Sequence, residues 1–230
     1  MTLEEFQEGK ILLIDKPLDW TSFDVVKKIR WNICKAFNIK KIKVGHAGTL
    51  DPKATGLLIV CTGKFTKKIN EIQGQTKVYT GRMKLGATTP TFDTESEENQ
   101  IFPIEHITEE QLNQATQQFL GEIAQHPPIH SAVKKDGKRL YELARAGKEV
   151  ETEARTVRIE EFKITKIEMP FVDFEVQCGK GTYIRSLAND FGAALNSGAY
   201  LTGLRRTKIG DFSVEDADNS ILEKDFFGIH

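Results

Sequence analysis

The sequence predicts an α+β fold with a mixed, mainly antiparallel sheet flanked by helices. Short apolar runs with strand character interleave irregularly with helical segments. Many of the connections between them are of hairpin length, which antiparallel neighbours permit and parallel neighbours do not. A doubly wound fold needs regular alternation of strands and helices, so it is disfavoured.

The elements follow from local patterns. Strands are predicted at residues 11–15, 57–61, 76–85, 157–167, 171–176 and 201–209. Helices are predicted after Thr21 or Ser22, after Thr108, at 140–146 and at 182–195. In the first helix, apolar residues recur every fourth position at Val25, Ile29, Ile33 and Phe37. Thr108 and Gln111 have the spacing of a capping box, which predicts a helix start.

Three stretches are predicted to be irregular. Glycine and proline make 45–56 loop-like, and adjacent prolines with an Asp-Gly pair do the same for 125–137. Residues 92–107 are expected to form an exposed acidic connection. We find no internal repeat and no low-complexity linker, which favours a single domain over 1–230.

Composition indicates a soluble, cytoplasmic protein. Of 230 residues, 39% are hydrophobic and 28% are charged, as in ordinary globular domains. Three widely separated cysteines argue against a disulfide framework or a zinc knuckle and fit a reducing compartment. The N-terminus is acidic where a signal peptide is basic, and no apolar run is long enough to span a membrane.

Charge is unevenly distributed although the net charge is −1. Residues 25–50 contain seven basic residues and no acidic one, whereas residues 92–110 contain seven acidic residues and no basic one. Such polarity can offer a polyanion one attractive face. Charge runs are also typical of solvated helix faces, and charge alone does not decide between these interpretations.

Residues 45–58 form the most unusual stretch. Their glycines and alanines allow close approach of backbone and ligand, and Pro52 holds Asp51 toward an extended conformation. This pattern suits a carboxylate aimed in one direction. The other interpretation is a surface loop that uses glycine, aspartate and proline as turn formers, with Asp51 exposed and without a charge partner.

Two other stretches contain residue types that are typical of ligand sites. Residues 179–182, Gly-Lys-Gly-Thr, lack the upstream glycine of a phosphate-binding loop, which excludes an NTPase of that type. Arg185 follows at a helix start, where it can pair with a catalytic carboxylate such as Asp51 or form a structural salt bridge. His126 and His130 are separated by two prolines, which exclude the helix that would align them for zinc.

Residues 45–56, Gly-His-Ala-Gly-Thr-Leu-Asp-Pro-Lys-Ala-Thr-Gly, resemble the active-site motif of the TruB family, which makes pseudouridine at position 55 of tRNA. Further similar motifs are Asp15-Lys16-Pro17 with Thr21-Ser22, Lys77-Val78-Tyr79, Pro127-Pro128 through Gly147, Gly181 to Arg185, and Leu204-Arg205-Arg206. The resemblance covers about residues 10–212. Asp19 stands where the family usually has glycine.

The resemblance implies the pseudouridine synthase fold and a set of site residues. Asp51 matches the catalytic aspartate, Tyr79 the tyrosine that stacks on the flipped base and is a candidate base, and Arg185 the arginine paired with that aspartate. The substrate-binding matches are His46, which enters the RNA loop, Tyr183 and Leu204 in the pocket, Lys16 in support of the site, and Asp93 near the RNA.

The resemblance further implies the T arm of tRNA as substrate, a loop and helix at about 125–152 that grip the RNA, and no cofactor or metal. We expect a monomer with no obligate protein partner, no membrane association and no C-terminal PUA domain. Two other functions stay open: an RNA-folding factor without catalysis, and a synthase with another target, such as an RNA-guided relative. The intact set of Asp51, Tyr79 and Arg185 favours the tRNA enzyme.

Overall fold

The computed structural model describes residues 1–128, 134–135, 138–139, 152–223 and 226. The α-helices in these residues are α1 (Leu3–Glu8), α2 (Ser22–Ala36), α3 (Ile69–Gly74), α4 (Glu109–Gln117) and α5 (Ile184–Ala194). The strands are β1 (Ile11–Lys16), β2 (Val44–His46), β3 (Ala54–Thr62), β4 (Lys77–Leu85), β5 (Ala87–Thr88), β6 (Gln100–Ile101), β7 (Gly121–Gln125), β8 (Lys134–Lys135), β9 (Lys138–Arg139), β10 (Arg155–Glu168), β11 (Phe171–Cys178), β12 (Ala199–Ile209) and β13 (Phe212–Ser213).

The α+β class is confirmed, with antiparallel pairing of β1 with β3, β2 with β3, β7 with β10, and β10 with β11. The chain divides into two compact units. The first comprises Met1–Tyr79 and Arg205–His230, and the second comprises Thr80–Leu204. Strands β4 and β12 each have residues in both units.

In the first unit, β3 is buried on both faces. Leu58 and Val60 pack on one face with residues of α2, whereas Leu57, Ile59 and Cys61 pack on the other with residues near the C-terminus. The two sets alternate because successive side chains of a strand point to opposite faces. This explains why the strand is a continuous apolar run in the sequence.

Helix α2 begins as its sequence predicts. The Thr21 hydroxyl accepts from the Asp24 backbone N–H at 3.0 Å, and the Asp24 carboxylate accepts from the Thr21 N–H at 2.9 Å, which completes a capping box. Of the predicted apolar positions, Val25, Ile29 and Ile33 are fully buried, whereas Phe37 is half-buried and follows the helix as its C-cap. The helix therefore packs its predicted face against β1 and β3.

The C-terminal segment of the first unit covers β1. The Asp218 N–H donates to the Leu13 carbonyl at 2.9 Å. The Asn219 side-chain amide accepts from the Asp15 N–H at 2.9 Å and donates to the Asp15 carbonyl at 2.8 Å. Arg205 adds two bonds to the Asp15 carboxylate, at 2.9 and 2.7 Å.

In the second unit, the strand order is β12-β4-β11-β10-β7. Phe119, Phe162, Phe174 and Phe191 form an aromatic core, with ring centroids 5.4 to 6.3 Å apart. Phe191 belongs to α5, so this core fixes the helix whose first turn carries Arg185. No helix in the described part of the chain is long and apolar enough to cross a membrane.

Several sequence predictions need correction. Residues 45–56 are not loop throughout, because 45–46 belong to β2 and 54–56 to β3. Backbone hydrogen bonding with neighbouring strands sets the bounds of these two strands, and glycine does not prevent it. Residues 92–107 are not exposed throughout, because Asp93 is only 4% exposed. Helices α1 and α3 and strand β7 were not predicted. The helix predicted at 140–146 lies outside the described residues, as does most of the predicted RNA-gripping segment at 125–152.

Candidate active site

Asp51 lies in the connection between β2 and β3, and the backbone of that connection is anchored to α2. The Leu50 N–H donates to the Ser22 hydroxyl at 2.8 Å, and the hydroxyl lies 3.1 Å from the Leu50 carbonyl, to which it donates. The Asp51 carbonyl accepts from the Ala54 N–H at 3.0 Å. Asp51 itself is half-buried. The connection is therefore not the exposed surface turn of the alternative interpretation.

Lys16 is fully buried at the end of β1. Its ammonium group donates to three backbone carbonyls, those of Pro17, Trp20 and Pro52, at 2.8, 2.6 and 3.4 Å. Burial lowers the pKa of Lys16 to about 8, and the negative charge of Asp51 opposes that shift. Lys16 thus ties β1 to the peptide that directly follows the candidate catalytic carboxylate.

Asp19 occupies a turn beside this connection. Its φ of 64° lies in the left-handed region, which glycine adopts most readily. Its N–H donates to the Pro52 carbonyl at 2.9 Å, and its carboxylate accepts from Lys53 at 2.7 Å. Aspartate tolerates the left-handed conformation better than most residues, so the turn is retained.

Tyr79, on β4, is buried against Arg206, on β12. The Arg206 guanidinium lies 3.5 Å from the Tyr79 hydroxyl oxygen, to which it donates, and 6.0 Å from the centre of the tyrosine ring. Arg206 also donates to the Gly48 carbonyl at 3.0 Å. One guanidinium therefore contacts both the candidate base and the connection that carries Asp51.

His46, the last residue of β2, is half-buried. Burial lowers the pKa of His46, and the positive charge of Arg206 lowers it further, against the opposing effect of a backbone hydrogen bond with Gly48. His46 is therefore neutral at neutral pH. A neutral imidazole can both donate and accept, which suits contact with bases as well as phosphates.

In the second unit, Arg185 and Asp93 are both almost fully buried. The Arg185 Nε lies 3.8 Å from the Asp93 carboxylate, and an Arg185 N–H donates to the Thr91 carbonyl at 3.2 Å. The Asp93 carboxylate also accepts from the Thr91 hydroxyl at 2.6 Å and from the Glu95 N–H at 2.9 Å. Within its own unit, then, Asp93 holds Arg185 in place.

Tyr183 precedes α5 and is half-buried. The Gln125 side chain accepts from the Tyr183 N–H at 2.8 Å and donates to the Tyr183 carbonyl at 3.1 Å. These two bonds fix the backbone of the residue that precedes α5, whose N-terminus has no side-chain cap from Tyr183. Leu204 lies on β12, where it is half-buried.

The candidate residues divide between the units. Asp51, Tyr79, His46 and Lys16 belong to the first unit, and Arg185, Tyr183, Leu204 and Asp93 belong to the second.

Sequence reasoning did not single out Arg206 or Gln125. Strand alternation supplies a signal for Arg206, since it predicts that Arg205 and Arg206 point to opposite faces and that one of them is buried. For Gln125, no signal is visible in the sequence.

Comparison with known proteins identifies similar chains. Residues 35–184 match the model of the TruB family pseudouridylate synthase, N-terminal domain. The tRNA pseudouridine synthase B of Flavobacterium johnsoniae is 61% identical over 226 residues, which cover 97% of this chain and 99% of that protein. The protein of the same name from Phocaeicola vulgatus is 56% identical over 211 residues, covering 92% of this chain and 90% of that one.

Two solved structures are also similar. One, a Cbf5-Nop10-Gar1 complex, contains a chain that is 32% identical with a TM-score of 0.67. The other, an H/ACA RNP bound to a substrate RNA containing 2'-deoxyuridine, contains one that is 30% identical with a TM-score of 0.64. Each match covers 94% of this chain, which spans about half the length of those chains, 52% and 50%.

Fold and family match together define the class, a pseudouridine synthase. The chain belongs to the TruB family of pseudouridylate synthases. It is an isomerase that converts uridine to pseudouridine.

Proposed function

We propose that this enzyme acts on uridine 55 in the T loop of tRNA, with Asp51 as the essential carboxylate. One observation carries the proposal: the chain is 61% identical, over nearly its whole length, to a protein named tRNA pseudouridine synthase B. The anchored Asp51 connection supports it, since the backbone bonds of Leu50 and Asp51 hold the connection in one conformation. We assign the enzyme to the cytoplasm, as a monomer without an obligate protein partner.

The reaction breaks the glycosidic bond between N1 and the ribose, turns the uracil, and forms a new bond between C5 and the ribose. C5 loses a proton and N1 gains one, so the overall change is an isomerisation without oxidation or reduction. In our proposal Asp51 is the nucleophile or charge-stabilising carboxylate. Tyr79 stacks on the uracil and removes the C5 proton. Arg185 pairs with the catalytic aspartate.

The remaining assignments concern RNA. The target base lies in a folded loop and must be flipped out, which costs a few kcal/mol. Contacts with phosphates and aromatic stacking offset that cost. Lys40, Lys41 and Lys43 are exposed and precede His46 and Asp51 in the chain. In this proposal His46 enters the opened loop, Tyr183 and Leu204 line the base pocket, Lys16 supports the Asp51 connection, and Asp93 lies near the RNA.

The test uses the purified chain alone with an unmodified tRNA transcript, and maps pseudouridine at single-nucleotide resolution. We expect modification at position 55 without guide RNA, added protein, metal or organic cofactor. Asp51→Asn is the matched control and should give none. Modification at another position, or only with a guide RNA, would reject the tRNA assignment in favour of a different RNA target. Binding without modification would favour an RNA-folding factor.

A further inference from the structure

Arg206 is a buried cation with an unusual set of partners. Only 1% of the residue is exposed. Its guanidinium donates to the Leu57 carbonyl at 2.8 Å, the Gly48 carbonyl at 3.0 Å and the Tyr79 hydroxyl at 3.5 Å. Among the described residues, no carboxylate oxygen lies within 4.0 Å of it. Burial of a charge without a counter-ion costs several kcal/mol, which these neutral acceptors offset only in part.

The backbone around Arg206 is also closely packed. Gly56, with a φ of 101°, lies so near that a Cβ there would come within 2.2 Å of the Arg206 carbonyl oxygen. Gly48 has a φ of 101° as well, and a Cβ on it would lie 3.5 Å from the guanidinium. Both positive φ values favour glycine, and at Gly56, within β3, a side chain would also clash with the Arg206 backbone, whereas a Cβ on Gly48 would make only ordinary contact.

The direction of the hydrogen bonds is informative. A guanidinium has donors and no acceptor, so the Tyr79 oxygen is the acceptor in their contact. The hydroxyl proton of Tyr79 therefore points away from Arg206. A cation at this distance also stabilises negative charge on the tyrosine oxygen, and a tyrosine must carry that charge, as the phenolate, before it can accept a proton from carbon.

We propose that Arg206 is a positioning residue for this reaction: it fixes the Tyr79 hydroxyl relative to the Asp51 connection and stabilises the anionic form of Tyr79. This inference rests on the proposed role of Tyr79 as the base. A lysine retains the charge but cannot reproduce three donations from a planar fork, so the two arginine functions can be separated by substitution.

The experiment compares Arg206→Met, Arg206→Lys and wild type in single-turnover reactions with tRNA across pH. Methionine fills the volume without charge. We expect the Met variant to react about 100-fold more slowly, as when one preorganised donor is lost, and the Lys variant about tenfold more slowly. The Kd for tRNA should stay within about threefold of the wild-type value. In the pH profile of the Met variant, the pH at which the rate rises should be about one unit higher than in wild type.

A matched control is Arg205→Gln on the same strand, whose side chain pairs with Asp15 and is 39% exposed; its rate should stay within about twofold of wild type. In a double-mutant cycle, adding Arg206→Met to Tyr79→Phe should slow the reaction no further. Circular dichroism and thermal melts establish that each variant is folded.

Three results would overturn the proposal. One is a folded Met variant with a normal rate and an unshifted pH profile, and another is full additivity in the double-mutant cycle. The third is loss of folding in both the Met and Lys variants, since Arg206 would then be purely structural. An active Tyr79→Phe would instead reject the assigned base, whereas inactive Tyr79→Phe with fully active Arg206→Met would reject this inference alone.

Discussion

Two aspartates, each in a connection between strands, differ in how the surrounding chain holds them. Asp93 is 4% exposed, and its carboxylate is bonded to Thr91 and Glu95 of its own connection and paired with Arg185. Asp51 is half-buried, and the backbone around it, rather than the carboxylate, makes the bonds to Ser22 and Ala54. The connection that carries Asp51 is thus fixed through its backbone, whereas the connection that carries Asp93 is fixed through the carboxylate.

The largest effect should come from Asp51→Asn. This change removes the charge and keeps the shape, so we expect the turnover rate to fall by at least about 1000-fold while tRNA affinity and melting temperature stay close to wild type. Single-turnover kinetics and a binding titration provide the measurement. A rate within tenfold of wild type would remove Asp51 from the mechanism.

Asp93→Asn should act mainly on stability. Removing one partner of a buried ion pair leaves Arg185 without that counter-charge, so the free energy of unfolding should fall by about 3 kcal/mol in urea denaturation. Asp173→Asn is a control in the same unit, because its pair with Arg82 is partly exposed; it should cost less than about 1 kcal/mol. Equal losses for the two variants would contradict the structural role of Asp93.

Lys16→Met should change how the free energy of unfolding depends on pH, because it removes a buried ammonium group that contacts the Asp51 connection. The folded pKa of about 8 lies below the ordinary value of 10.5, so protonation is penalised in the folded state. That penalty is fully present below pH 8 and disappears as the pH rises toward 10.5. Lys16→Met removes this penalty. The free energy of unfolding of the variant minus that of wild type should therefore be about 2 kcal/mol larger at pH 7 than at pH 10.

Urea denaturation of both proteins at the two pH values isolates Lys16 from the other titrating groups. A difference that does not change with pH would mean that Lys16 titrates normally in the folded protein. The Asp51→Asn background sharpens the test, because the Asp51 charge opposes the shift and its loss should enlarge the difference.

The smallest effect should be on tRNA binding. It concerns the basic segment that precedes Asp51, whose charge is opposite to that of the acidic segment around Asp93. Replacing Lys40, Lys41 and Lys43 together by alanine should reduce the salt dependence of tRNA binding by about two to three units of log–log slope. The control replaces Lys64, Lys163 and Lys166, which pair with glutamates. Affinity that does not vary between low and physiological salt would exclude this surface from binding.

Local patterns predicted much of the fold and less of the site. Capping at Thr21 and Thr108 and the apolar repeat of α2 depend on neighbours a few residues apart, so the sequence reveals them. Asp93 was expected to be exposed because its segment is acidic, yet its burial depends on bonds with Thr91 and Arg185. Arg206 acquires its partners from three separate segments, which no local pattern records.

The cover on β1 has a consequence for handling the protein. In the first unit, β1 has β3 on one side, and Asp218 and Asn219 bond to its backbone at Leu13 and Asp15. A bare strand edge is a template for pairing with other chains. Truncation before residue 218 should therefore expose the edge of β1 and favour self-association, even though every proposed site residue is retained. Asp218, through its backbone N–H, and Asn219, through its side-chain amide, thus cover that edge.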